Sequence, residues 1–150
     1  MKIILFAPQI PQNTGNIVRT CKVTRTDLIL VKPLGFDISD KALRRAGLDY
    51  WDGVNVQIFE DLFTYLESTT DPFYFFSSHA KKIYSDVSYP ENVQLIFGSE
   101  TKGLPDIYHK TWPEKFVTIP MIQGERCLNL SNTVAIGVYE ALRQQQFAIL

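Results

Sequence analysis

The sequence is poor in the residues that build metal clusters and disulfide frameworks. Its 150 residues include 2 cysteines and 2 histidines. His79 and His109 lie far apart without a partner at ligand spacing, so we expect no metal site and no disulfide scaffold. Long apolar runs are also lacking, since none reaches the roughly 18 residues that a membrane helix needs. The first eight residues are too short for a signal peptide. We therefore expect a cytoplasmic protein without a membrane anchor.

An excess of charge of one sign is lacking as well. The chain has 15 Lys plus Arg against 16 Asp plus Glu, a formal net charge of −1. This balance argues against a general polyanion binder. The charge is uneven, however, because residues 1–50 carry eight basic and four acidic side chains. A phosphate-binding face would have to be local and come from this first third, and ordinary surface scatter is the alternative.

Short apolar runs alternate along the chain with helical patterns. This alternation predicts one α/β domain over residues 1–150, built on a mainly parallel sheet flanked by helices. Ser39 with Asp40 is a candidate helix start, and Gly47 a candidate stop. The predicted strands are 3–7, 28–31, 54–59, 73–76, 93–97 and 116–119, and the predicted helices are about 14–25, 39–46, 60–68, 104–110 and 129–146.

The last predicted helix has little polar surface. Between Val134 and Leu142 only Gly137 and Glu140 interrupt the apolar residues. A helix of this kind is typically covered on two sides. The sheet can cover one side. A second subunit covering the other would make a homodimer, and a fully internal helix is the alternative.

Three loops rich in Gly, Pro and Asn follow predicted strands, at residues 8–16, 98–105 and 120–132. In open α/β sheets, ligands bind at the carboxyl ends of the strands. The sequence does not match the usual nucleotide-binding motifs. Leu104-Pro105 stands where a P-loop needs Lys and Ser or Thr, and no G-x-G-x-x-G follows the first strand.

Two groups of basic residues could contact nucleic acid. The first group, Arg19, Lys22 and Arg25, has a spacing of three residues, which places its members on one helix face. The second group, Lys41, Arg44 and Arg45, is followed by the aromatic residues Tyr50 and Trp51. A solvated face and aromatic packing are the alternatives.

Together the three loops resemble the motifs of the SPOUT (SpoU–TrmD) RNA methyltransferases, and most closely the TrmL type, which methylates the wobble nucleotide of tRNA. The likeness covers almost the whole chain in order. It is carried by NTGNIVR at 13–19, FGSETKGL at 97–104, IPM at 119–121, NLSN at 129–132 and VYEA at 138–141. PLGF at 33–36 and LRRAGLDY at 43–50 support the narrower match.

The resemblance implies an α/β fold with a C-terminal deep trefoil knot. It implies that the knot loops hold S-adenosylmethionine, that the substrate is the tRNA anticodon stem-loop, that no metal is needed, and that a homodimer forms the RNA surface. By motif position, the implied cofactor contacts are Phe76, Gly98, Ile119, Met121, Cys127 and Leu128. Phe76 could equally be a core residue.

The same resemblance assigns roles in the transfer to a ribose 2′-hydroxyl. Arg19 would act at the hydroxyl, as a base or as a positioning group. Glu100 would orient groups at the site or accept bonds from its own loop, and Asn129 would fix the loop or the substrate. Arg126 would join Lys41, Arg44 and Arg45 in RNA binding, or pair with Glu125 or Glu140. Cys127 stands where related sequences commonly have Ser. A main-chain contact to the cofactor would be unaffected by this difference, whereas a side-chain role would be changed.

Overall fold

A seven-stranded parallel sheet forms the centre of the molecule. The computed structural model describes residues 1–37 and 53–149. In spatial order the strands run β3-β2-β1-β6-β4-β7-β5, and each neighbouring pair is parallel. The strands are β1 (Lys2–Phe6), β2 (Asp27–Val31), β3 (Val56–Phe59), β4 (Phe73–Phe76), β5 (Lys82–Ile83), β6 (Gln94–Phe97) and β7 (Phe116–Thr118).

The predicted mainly parallel sheet is confirmed. Central strands buried on both faces appear in sequence as continuous apolar runs, and β2 and β6 do so here. The strand β5 was not predicted, because its two residues are exposed at the sheet edge and carry no apolar run. The predicted helix 39–46, with Ser39, Asp40 and Gly47, lies outside the described residues.

Four described α-helices connect the strands: α1 (Pro11–Thr24), α2 (Leu62–Ser68), α3 (Asp106–Thr111) and α4 (Leu130–Gln144). The first begins three residues before the prediction because Pro11 occupies its first turn, where the missing N–H of proline costs nothing. It ends at Thr24, and Arg25 adopts a left-handed conformation with φ of 50°. The prediction that Arg19, Lys22 and Arg25 share one helix face is therefore wrong for Arg25, which lies at the C-cap.

Alternate residues of the central strands point into two separate apolar layers. Ile3 and Leu5 face the layer that contains Val134 and Val138 of α4, whereas Ile4 faces the layer of α2 and α3. Helices α1 and α4 pack together on the first face. The long α4 therefore returns from β7 to lie against β6 and α1.

Helix α4 is covered over most of its surface within one chain. Its exposed positions are Asn132, Tyr139 and Arg143, which share one stripe. Burial within one chain therefore explains most of the apolar residues of α4, and only the narrow stripe of three residues is exposed to solvent. Within residues 1–37 and 53–149, no helix combines the length and the apolar character needed to cross a membrane.

Candidate functional site

The three loops predicted from sequence meet at one edge of the sheet. They follow β1, β6 and β7, whose strands are parallel, so their carboxyl ends point the same way. This is the edge at which open α/β sheets bind their ligands. The geometry at this edge is set by a chain of polar contacts between the loops.

Glu100 joins the second loop to the first. One carboxylate oxygen accepts the backbone N–H of Gln9 at 2.8 Å. The other accepts the N–H of Ile10 at 3.1 Å and the side-chain amide of Asn13 at 3.0 Å. Three donors therefore occupy this carboxylate, and two of them are backbone groups that immediately precede α1. Such bonds to an ionised acceptor are stronger than neutral ones.

Asn13 extends this contact to the third loop. Its oxygen accepts the side-chain amide of Asn129 at 2.9 Å. The oxygen of Asn129 in turn accepts the N–H and the hydroxyl of Ser131, at 2.8 and 2.7 Å, and so caps α4. Each amide is oriented by a donor on one side and an acceptor on the other. We call Glu100, Asn13, Asn129 and Ser131 the polar network.

The loop that carries Glu100 is a tight hairpin. Ser99 and Gly103 exchange backbone hydrogen bonds of 3.2 and 3.0 Å. A Cβ placed on Gly98 would lie 2.4 Å from the carbonyl carbon of Gly103, so only glycine fits there. Gly103 has φ of +65°, which also favours glycine. Both glycines of the sequence motif are thus needed to form the hairpin.

The six implied cofactor residues differ in their surroundings. Phe76 is buried, stacks on Phe97 at 4.7 Å and packs against Gly137, as the core alternative predicted. Gly98 and Ile119 directly follow β6 and β7 and are partly buried. The remaining three lie together along the exposed third loop. They are Met121, Cys127 and Leu128.

The implied RNA-binding residues are only partly described. Arg19 lies on the exposed side of α1, in the segment that the polar network anchors at its start. Arg126 is exposed in the third loop. Glu140, one of its possible partners, instead pairs with Arg143 at 2.8 Å. Lys41, Arg44 and Arg45 fall outside the described residues.

The two cysteines have different surroundings. Burial raises the pKa of the Cys21 thiol in α1 to about 12, so this cysteine stays protonated. Cys127 is exposed, and both cysteines are free thiols. Among residues 1–37 and 53–149, no group of His, Cys, Asp and Glu has the arrangement of a metal site.

Sequence reasoning missed two contributors to this edge, Asn13 and Gln9. Asn13 was noticed as part of a motif but received no role. It is buried, with 4% of its surface exposed, and its side chain bridges Glu100 and Asn129. Gln9 contributes its backbone N–H, and the identity of a side chain does not indicate what its backbone N–H will bind.

Comparison with known proteins agrees with this architecture. Residues 1–139 match the sequence family described as the SpoU rRNA Methylase family. The chain belongs to that family. This SpoU chain is 47% identical over 152 residues to a protein of Listeria innocua that is provisionally named a tRNA (cytidine(34)-2′-O)-methyltransferase. The match covers 99% of this chain and 90% of the Listeria protein.

Two solved structures extend the comparison of the SpoU chain. One, described as giving structural insights into the 2-OH methylation of C/U34 on tRNA, is 34% identical with a TM-score of 0.87. It covers 97% of this chain and 96% of its own. The SpoU methyltransferase AviRb of Streptomyces viridochromogenes, in complex with AdoMet, has a TM-score of 0.84 at 21% identity. It covers 97% of this chain and 58% of its own, and shows the shared fold.

Proposed function

We propose that this SpoU chain transfers a methyl group from S-adenosylmethionine to the ribose 2′-oxygen of the wobble cytidine or uridine in the anticodon stem-loop of tRNA. The observation that carries the proposal is the near full-length likeness, at 34–47% identity, to proteins whose names concern that nucleotide. The same three motif loops are joined here by the polar network. The protein would act in the cytoplasm, where tRNA is modified.

The exposed third loop suits this cofactor by its chemistry. Its apolar side chains are open to a ligand: Met121 is 38% exposed, Ile122 80% and Leu128 40%. Apolar side chains and nearby backbone groups are what a flat adenosine needs, and Gly98 lets main chain approach closely. S-adenosylmethionine supplies an activated methyl group when bound. Cys127 and Ile119 would contribute through their main chain, while Phe76 would support the loop from the core.

Arg19 is the residue that we assign to the ribose. A guanidinium presents hydrogen-bond donors in a planar fork and no acceptor, which suits it to binding anions. We assign Arg19 the role of holding an RNA phosphate and polarising the 2′-hydroxyl, which loses its proton to solvent water. Methyl transfer depends mainly on such alignment. Glu100 and Asn129 act as positioning residues, because their side chains join the loops at the start of the helix that carries Arg19.

The RNA surface requires further cations. Arg126 is exposed on the same loop as the cofactor candidates, and we assign it to a phosphate near the reacting nucleotide. We assign Lys41, Arg44 and Arg45 to the same surface on their sequence alone. Neutralising these three residues is expected to weaken tRNA binding and to reduce its dependence on salt.

A homodimer would supply a larger RNA surface than one chain of 150 residues. Its support here is apolar exposure on and beside α4, where Tyr139 is 46% and Phe147 44% exposed. Light scattering tests this proposal, and a monomeric mass at micromolar concentration would contradict it. The trefoil knot is proposed from the family motifs, with the return of α4 from β7 to β6 as support. A crystal structure tracing residues 97–132 tests it.

The decisive experiment follows labelled methyl from S-adenosylmethionine into unmodified bulk tRNA, with nuclease mapping of the product. We expect label on the 2′-oxygen of nucleotide 34. Arg19→Ala should abolish transfer while leaving S-adenosylmethionine binding intact, and Lys110→Ala, an exposed cation on α3, is the matched control. Label at another tRNA position or in ribosomal RNA would replace the substrate. Cofactor binding and RNA binding without transfer to any RNA would indicate a noncatalytic factor.

A further inference from the structure

The loop after β2 lies directly on the loop after β1. The N–H of Gly35 donates to the carbonyl of Pro8 at 2.9 Å. A Cβ on Gly35 would lie 2.7 Å from the Cα of Gln9 and 2.8 Å from its carbonyl oxygen. Both contacts are with main chain, so rotation of a side chain does not relieve them. Any larger residue at this position forces the backbone of Gln9 or of the Gly35 loop to shift.

Close approach, not backbone conformation, is the reason for glycine here. Among the described glycines the positive φ values belong to Gly53, Gly103 and Gly124. Gly35 is also exposed, so its side of the loop fills no core. Alanine can adopt the backbone conformation of Gly35 and would act only through the clash. The Gly35→Ala variant is therefore a clean steric probe of the contact with Gln9.

Gln9 is where this contact meets the candidate active site. Its backbone N–H donates to Glu100 at 2.8 Å, and its side-chain amide donates to the carbonyl of Ala7 at 2.7 Å. The next residue also donates to Glu100, and α1 begins at Pro11. A shift of Gln9 thus acts on the Glu100 carboxylate and on the start of the helix that carries Arg19.

We infer that Gly35 is a positioning residue for methyl transfer, which holds Gln9 on Glu100 and so fixes the start of α1. The inference rests on the proposed function for its kinetic part. Its structural part, the dependence of the Gln9–Glu100 bond on Gly35, stands without any activity. The two parts are measured separately.

The structural part is tested by amide hydrogen exchange in the full chain. In Gly35→Ala we expect the Gln9 and Ile10 amides to exchange at least tenfold faster than in the wild type. Leu66→Val is the control, because it removes a methylene from a side chain buried beneath α2 and lowers stability without touching Gln9. Unchanged exchange at Gln9 in Gly35→Ala would overturn the inference.

The kinetic part is tested by single-turnover methylation of tRNA and by a double-mutant cycle. Gly35→Ala should lower the transfer rate at least tenfold while the Kd for S-adenosylmethionine changes less than threefold. Because Gly35 acts through Glu100, the double variant with Glu100→Gln should be no slower than the slower single variant. Additive losses would overturn the inference. Absence of transfer in the wild type would refute the proposed function instead, and the exchange result would still decide the contact.

Discussion

Replacing Glu100 by Gln tests the polar network with the smallest change of shape. The carboxylate offers two acceptor oxygens to three donors, those of Gln9, Ile10 and Asn13. An amide keeps one oxygen and places an NH2 group at the other position. In its better orientation the oxygen still accepts from Ile10 and Asn13, while the NH2 group faces the N–H of Gln9. One charge-assisted bond is lost and two are weakened.

The magnitude follows from these three bonds. A hydrogen bond to a charged group contributes about 1.5–3 kcal/mol, and partial exposure of Glu100 reduces this. We expect the free energy of unfolding to fall by about 2 kcal/mol, which lowers Tm by roughly 4–8 °C for a domain of this size. Glu114→Gln, at an exposed position in the 3-10 turn after α3, is the control with the same change of charge.

The assay is urea unfolding of both variants, followed by methyl transfer across a range of pH. A positioning role predicts a lower transfer rate for Glu100→Gln at every pH, because the three donors lose their carboxylate acceptor. A Glu100→Gln protein as stable as the wild type would refute the importance of the network. An unchanged transfer rate in Glu100→Gln would refute its positioning role.

Three further changes test other parts of the molecule. Gly98→Ala places a Cβ 2.4 Å from the main chain of Gly103 and should weaken S-adenosylmethionine binding at least tenfold in calorimetry; unchanged affinity would contradict the site. Alkylation of the exposed Cys127 should slow when S-adenosylmethionine is added, and equal rates would place the cofactor elsewhere. The Arg143 guanidinium lowers the pKa of Glu140 below its usual 4.5, so this pair stabilises the fold above pH 4.5 and the contribution is lost as pH falls further. Glu140→Gln should therefore show a smaller loss of stability between pH 5 and pH 3 in thermal unfolding, and an identical loss would argue against the pair.

Local sequence was sufficient for six of the seven strands and for the four described α-helices. Strands buried on both faces of a parallel sheet have continuous apolar runs, and Phe73–Phe76 was predicted to the residue. Pro11 moved the start of α1 beyond what hydrophobic periodicity detects. The edge strand Lys82–Ile83 forms through its pairing with β7 and has no local signal of its own.

The sequence likewise predicts one part of the candidate site and leaves the other part undetermined. The sequence determined which loops carry the chemistry, because glycines needed for close approach and polar residues after buried strands are visible in order along the chain. Only the tertiary structure decided which groups meet. Asn13 bonds Glu100 across 87 residues and Asn129 across 116, and Gln9 is recruited through its backbone N–H. Such contacts depend on the order of strands in the sheet, which brings distant loops to one edge, and no local pattern encodes that order.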